Sequence, residues 1–328
     1  MDDSPGQRTD ASAAGSSLGN PLADSSVVPD ATSQDASRVD ASAPGAERGD
    51  AGAEGSSGRD GSVATDAGLS RADSAASPSD AGAPEASSIS YDCGSSASPV
   101  FSLTIGGIGY QLTWNDEFNG TALDSANWNV SDGGWCCGVG PNLPQNVSLG
   151  GGCLVLRSDR TDGGTGYSSA WVDTQGKFQW TRGYIEIRAQ LPKGQGMWPA
   201  LWTDEIGGNP MAEFDILEML GNVPSTVYET NHLWPQDGGP GTQVHQCTFS
   251  GPDFSAGFHV FGFQMQPSAV TWYIDGAQTC ATTQGVNSNP VYLMVNTAVG
   301  GAGSWPGAPD STTVFPNFMD VDYVRVYE

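Results

Sequence analysis

Met211-Ala212-Glu213-Phe214-Asp215-Ile216-Leu217-Glu218-Met219-Leu220 sets three carboxylates, spaced E-x-D-x-x-E, inside an otherwise apolar run. Carboxylates in hydrophobic sequence are costly to bury unless they converge on a shared task. The commonest such task is acid/base and nucleophilic work on a glycosidic bond. As a strand, the run turns Glu213 and Asp215 to one face and Phe214 and Ile216 to the other. Glu218 then has the wrong parity. One bulged residue, Ile216 or Leu217, brings it back beside the other two. As a helix, the run puts Phe214, Leu217, Met211 and Leu220 on one face with solvated acids opposite. The segment alone leaves both readings open.

Its surroundings decide. Turn signals recur at Asn119-Gly120, Asp132-Gly133, Asp162-Gly163, Asp237-Gly238 and Asp275-Gly276. Between them lie short strand-like stretches: 153–157, 183–189, 258–263, 270–274, 291–295 and 321–327. Tyr184-Ile185-Glu186-Ile187-Arg188 and Asp322 to Tyr327 alternate with period two. Many short strands with Gly/Asp/Pro turns and no long amphipathic helix predict an all-β antiparallel sandwich. In that company the Glu213 run reads as a strand.

Composition divides the chain at about residue 90. Residues 1–90 hold no Phe, Tyr, Trp or Lys, and echo themselves in Asp10-Ala-Ser-Ala, Asp40-Ala-Ser-Ala and Asp50-Ala-Gly-Ala. Such a segment cannot bury enough apolar surface to offset its ordering entropy, so a disordered tail is expected there. All ten Trp lie between Trp114 and Trp305, which makes 91–328 the expected folded domain. The chain carries 37 Asp+Glu and 12 Lys+Arg; residues 1–90 take 15 and 5 of these, leaving the domain at 22 and 7, a net of −15. Both parts are acidic, which argues against nucleic acid and anionic membrane surfaces as partners. A monomer is expected.

No run of 18 apolar residues exists to span a membrane. The opening Met-Asp-Asp-Ser-Pro-Gly has neither basic nor apolar leader character, so no signal peptide is visible; the expectation is that it was removed or that the start is missing. Six cysteines without CxxC spacing, beside three histidines, point away from zinc and towards disulfides in an oxidising compartment. Cys247 with Cys280 is the first choice of pair, since two strands turning at Asp275-Gly276 bring them together. The vicinal Cys136-Cys137 must find separate partners or leave one thiol free. Gly15-Ser-Ser-Leu-Gly19 matches a serine-hydrolase pattern but sits in low-complexity sequence, a chance match.

The residues resemble glycoside hydrolase family 16, in particular its laminarinase-like, endo-β-1,3-glucanase branch. Glu213 to Glu218 matches its E-[ILVF]-D-[IVLF]-x-E signature. Other blocks agree in order: 114–120, 182–188, Gly194-Gln-Gly-Met-Trp-Pro-Ala-Leu-Trp202, 218–221 through Asn231-His232, 258–260, 273–276, 296–301 and 321–327. The resemblance covers roughly 110–328. It implies a concanavalin A-like β-jelly roll of two curved antiparallel sheets with an open cleft, and a retaining double displacement. Glu213 becomes the nucleophile, Glu218 the general acid/base, and Asp215 a hydrogen-bond partner of Glu213. Trp198 and Trp202, of equal parity, and His232 on the next strand become substrate-binding residues. No cofactor is required for the chemistry. A structural calcium on the convex side is implied, held by Asp322 and Glu117; the alternative is that Asp322 faces solvent. The implied partner is a neutral β-glucan, cut outside the cell or at its surface. Sulfated galactans would want Lys and Arg in the cleft; neutral agarose and xyloglucan, transglycosylation, and a catalytically silent glucan-binding jelly roll are the alternatives. The chain departs from the family at Ala212, usually Gly, at Gly262-Phe-Gln-Met-Gln266, which lacks the usual Trp, and at Cys136-Cys137.

Overall fold

Strands of two to eleven residues, joined by turns and loops, are the dominant regular structure of the computed structural model, which describes residue 93 and residues 98–328 apart from 135–137 and 287. The tail expected over 1–90 and the Cys136-Cys137 pair lie outside the described residues. One antiparallel sheet orders β1 (Ser102–Ile105), β2 (Ile108–Asp116), β17 (Asn317–Tyr327), β8 (Gly183–Gln190), β13 (His259–Met265), β14 (Val270–Ile274) and β15 (Ala277–Thr282). On it, β5 (Cys153–Thr161) pairs the first half of β17 and carries β4 (Val147–Gly150) and β6 (Gly166–Ser168). The other sheet orders β12 (Thr242–Ser250), β11 (Thr226–Trp234), β10 (Met211–Met219), β9 (Met197–Glu205), β16 (Val291–Val299), β7 (Ala170–Asp173) and β3 (Asn129–Val130). The Glu213 run is therefore β10, a central strand of the second sheet.

Period-two alternation builds the core. On β8, Ile185, Ile187 and Ala189 are buried between the sheets while Glu186 and Arg188 point away. Leu201, Phe214, Leu217 and Val295 meet them from the second sheet. Each such side chain contributes about 1.5–3 kcal/mol by leaving water. The far face of the first sheet is not bare either: Tyr110, Tyr184, Tyr273 and Tyr327 cluster there under Leu103, Ile105 and Leu112 of the β1–β2 hairpin. Gly262 on β13 makes room for this layer, since a Cβ there would sit 2.2 Å from the Tyr184 hydroxyl.

The Asp275-Gly276 turn forms as expected. Both residues have positive φ (50° and 78°), the geometry of a two-residue type I′ hairpin loop. It folds β15 back along β14 and brings Cys280 to Cys247 of β12, where the two form a disulfide with Cα atoms 6.1 Å apart. This bond joins the edge strands of the two sheets. Cys93–Cys153 is a second disulfide, which spacing does not suggest. Replacing Cys247 and Cys280 together by Ser should cost about 2–4 kcal/mol of stability, since the link closes a loop of intermediate length. Chemical denaturation of the double variant and of the parent measures it; equal midpoints would show that the link does not restrain the unfolded chain.

Candidate active site

Two register shifts decide where the acids of β10 point. Against β11, Asp215 pairs with Thr230 and Glu218 with Tyr228, so three steps on β10 match two on its neighbour. Against β9, Asp215 pairs with Trp202 and Leu217 with Leu201, two steps against one. Ile216 and Leu217 both turn into the core. This is the expected bulge, and it returns Glu218 to the face that carries Glu213 and Asp215. Trp272 of β14, fully buried in the opposite sheet, donates its indole N–H to the Asp215 carbonyl at 2.8 Å, at the point where the ladder breaks.

Each acid on this open face has its own N–H neighbour. Trp234 Nε1 donates to Glu213 Oε2 at 2.9 Å, and Trp198 Nε1 donates to Glu218 Oε1 at 2.9 Å. His232 Nε2 lies 3.4 Å from Asp215 Oδ2 and its ring stacks on Trp234. Asp215 is 4% exposed, and its Oδ2 is buried without a hydrogen-bond partner.

A fourth acid joins them. Asp204 of β9 stands directly across from Glu213 and, on its other side, from Tyr292 of β16. The Tyr292 hydroxyl donates to Asp204 Oδ2 at 3.2 Å, while Oδ1 is buried without a partner. Burial, joined by repulsion from a neighbouring acid at all but Asp204, makes all four hold protons to unusually high pH. Burial pushes Asp204 up to about 6 against the Tyr292 hydrogen bond. Burial first, then the Asp204 charge, raises Asp215 to about 8. Burial first, then Asp215, raises Glu218 to about 8, with the Trp198 hydrogen bond pulling the other way. Glu213 is raised well above the ordinary range by burial, then by Asp215 and Asp204, with His232 opposing. Such a face carries protonated and ionised carboxyls side by side at neutral pH, as acid/base chemistry on a poor leaving group requires.

The structure brings Glu213, Asp215, Glu218, Trp198, Trp202 and His232 to this one face. Trp202 is anchored by donating to Asn296 Oδ1 at 2.7 Å and stands edge-on to Trp171. Trp198 touches an acid directly, beyond the platform role expected for it, and stands edge-on to Trp305, which is 46% exposed and also meets Tyr228. Trp234 and Asp204 escape a reading of the motifs, although each sits two residues beyond a candidate, His232 and Trp202, and so shares its face. Nothing local marks Tyr292 or Trp305.

Asp322 and Glu117 are arranged differently from the expected calcium pair. Asp322 is a bulged residue of β17, between Val321 and Tyr323, 2% exposed and bonded to Arg188 Nη1 at 2.6 Å. It does not face solvent. Glu117 takes Arg325 through both oxygens, at 2.9 and 2.8 Å. Two guanidinium groups thus supply the positive charge expected from the ion. Among the described residues neither acid belongs to a set of three whose ligand atoms converge. His245, Cys247 and Cys280 do form such a set, but both sulfurs are spent in the disulfide.

Comparison with known proteins agrees with this geometry. Residues 142–325 match the model of Glycosyl hydrolases family 16. The chain is 33% identical over 265 residues to Glucan endo-1,3-beta-glucosidase A1 of Niallia circulans, a match covering 67% of this chain but only 38% of that longer protein. It is 32% identical over 248 residues to the Beta-glucanase of Rhodothermus marinus, covering 66% of this chain and 85% of the relative. Among solved structures, the endo-beta-1,3-glucanase from Pyrococcus furiosus superposes with a TM-score of 0.63 at 33% identity, over 70% of this chain and 98% of that one. The bulged strand with its acids and the family match over 142–325 coincide, and the chain belongs to glycosyl hydrolase family 16.

Proposed function

We propose that this protein is a secreted, retaining endo-hydrolase of neutral β-glucans, cutting internal β-1,3 or β-1,3-1,4 linkages of polymers such as laminarin. The observation that carries the reading is the bulge at Ile216-Leu217, which sets Glu213 and Glu218 on one open face with a separate indole donor on each. In the first step a Glu213 oxygen attacks the anomeric carbon while protonated Glu218 gives its proton to the glycosidic oxygen. The C–O bond breaks, one half of the chain leaves as an alcohol, and the other is held as a glycosyl ester. In the second step Glu218, now a carboxylate, takes a proton from water as that water attacks the anomeric carbon. The ester opens, Glu213 is restored, and two inversions leave the configuration retained. Trp198 occupies Glu218 Oε1 and leaves Oε2 to carry the proton. Trp234 likewise leaves Glu213 Oε1 to attack. Trp202, Trp198 and the exposed Trp305 offer ring faces and edges suited to the apolar faces of glucose.

The two disulfides support an oxidising compartment, and the composition shift near residue 90 suits a catalytic domain that begins near residue 91. The domain charge of −15 supports a neutral substrate over a sulfated one. Incubation with laminarin, barley mixed-linkage glucan, agarose and xyloglucan, with reducing ends and product anomers read by NMR, tests the proposal. New β-anomeric ends from laminarin are expected. Binding without cleavage would leave a silent lectin, and cleavage confined to agarose or xyloglucan would move the substrate.

Asp204 has a testable part in this scheme. Its charge holds protons on Glu213 and Asp215. Asp204→Asn should therefore let the nucleophile ionise at lower pH and move the acidic limb of the kcat/KM profile down by about half to one pH unit. Superimposable profiles for variant and parent would remove Asp204 from the ionising set.

A further inference from the structure

We propose that Trp272, on the sheet opposite the acids and sealed in the core, is a positioning residue for Glu218: its indole N–H pins the β10 bulge that aims the acid/base. This rests on the reading of Glu218 as acid/base. A bulge leaves ladder groups without their usual partners, and a carbonyl turned inward among apolar side chains can be satisfied only by a donor that is itself buried. At Asp215 that donor comes from across the sandwich, 57 residues further along the chain, at 2.8 Å. The register breaks between Asp215 and Leu217 on the β9 side and between Asp215 and Glu218 on the β11 side, so the pinned carbonyl is the last one before the extra residue.

The parity of Glu218 depends on that extra residue. Were the bulge lost, Glu218 would turn towards the core and Leu217 towards the open face. Glu213 and Asp215 precede the bulge and keep ordinary pairing with His232 and Thr230, so the indole bond selectively holds the second acid. The ring itself is tightly placed. Phe263 packs on it with centroids 5.1 Å apart, Phe214 of β10 packs on Phe263 at 5.4 Å, and Cys280, tied to β12 by its disulfide, is the cross-strand neighbour of Trp272. The indole is thus held between Phe263, itself backed by Phe214, and the disulfide-tied Cys280.

The test separates aim from packing. Trp272→Phe removes the donor with modest loss of volume, and replacement of Trp272 by benzothienylalanine removes it with the ring shape kept, should the Phe variant not fold. Phe263→Leu serves as a packing control, since it thins the core around the same ring while leaving both the donor and the acceptor of the bond in place. Each is assayed on laminarin, whose leaving group needs the acid, and on a dinitrophenyl β-glucoside oligomer, whose leaving group does not, with melting temperature recorded. Loss of the donor should lower kcat on laminarin about 30-fold or more, leave KM within about twofold, and change the first-turnover rate of dinitrophenol release, the one step that does not need Glu218, by less than about threefold, while Phe263→Leu lowers melting without changing the ratio of the two rates. Equal losses on both substrates, or a ratio like that of Phe263→Leu, would overturn the proposal and leave Trp272 a packing residue. A parent protein that cleaves neither substrate is a different failure, that of the functional reading on which the proposal rests.

Discussion

Glu213→Gln and Glu218→Gln should each lower laminarin hydrolysis by at least about 10²-fold and as much as about 10⁴-fold, with melting temperatures at or above that of the parent. Both side chains sit among like charges in a partly desolvated face, so a neutral isostere relieves repulsion while ending the chemistry. The two variants should differ in a way that assigns their roles. A dinitrophenyl glycoside, which leaves without a proton, should restore the first step to the Glu218 variant, and added azide should then release a β-glycosyl azide. A Glu213→Ala variant, lacking the nucleophile, should give the α-azide instead. If either Gln variant kept more than roughly a hundredth of parental activity, the corresponding role would be wrong.

Raised carboxyls also dictate how stability depends on pH. Asp204 ionises near 6, Glu229 and Asp320 near 7, and Asp215 and Glu218 near 8, each driven up chiefly by burial. In the unfolded chain all of them ionise near 4. Between about pH 4 and pH 8 the folded protein therefore binds more protons than the unfolded one. Stability is fully present below the unfolded values and drains away as pH rises through the folded ones. A tenfold difference in proton affinity at one carboxyl is worth about 1.4 kcal/mol, and the acids of the open face repel one another, so their effects do not simply add. A net loss of about 3 kcal/mol would lower the melting temperature of a domain this size by roughly 6–12 °C. Thermal melts at constant ionic strength from pH 4.5 to 8.5 should fall steadily above pH 5.5, and Glu218→Gln should flatten the slope. A melting temperature that climbs to pH 8 would mean that water reaches these carboxyls and keeps them ordinary.

This instability is a consequence of the site. Among the described residues, the open face keeps four acids close together with no Lys or Arg hydrogen-bonded to any of them, and three of their oxygens are instead met by indole or phenol donors. Such donors favour the ionised form far less than a cation would. A protonated and an ionised carboxyl can then coexist across the reacting bond. Elsewhere on the molecule acids meet arginines, as Asp322 meets Arg188 and Glu117 meets Arg325. Those pairs hold strands together.

Local sequence was enough to determine much of this protein. The alternation over Tyr184–Arg188 set β8, the Asp275-Gly276 dipeptide set a type I′ hairpin, and that hairpin carried Cys280 to Cys247. The same alternation, with one extra residue in Asp215–Glu218, placed all three acids on one face. Side-chain parity and turn chemistry are properties of a few consecutive residues, which is why they are legible without a structure. Tertiary structure alone decided the rest. Nothing near Asp322 announces a bulge or Arg188 as its partner, 134 residues away. No spacing rule leads from Cys153 to Cys93, or from Asp204 to the Tyr292 hydroxyl. The bulge in β10 was legible as a need of Glu218, but the indole that satisfies its carbonyl belongs to the opposite sheet. Cross-strand and cross-sheet neighbours are fixed by register and by the way two sheets stack, and those depend on the whole chain at once.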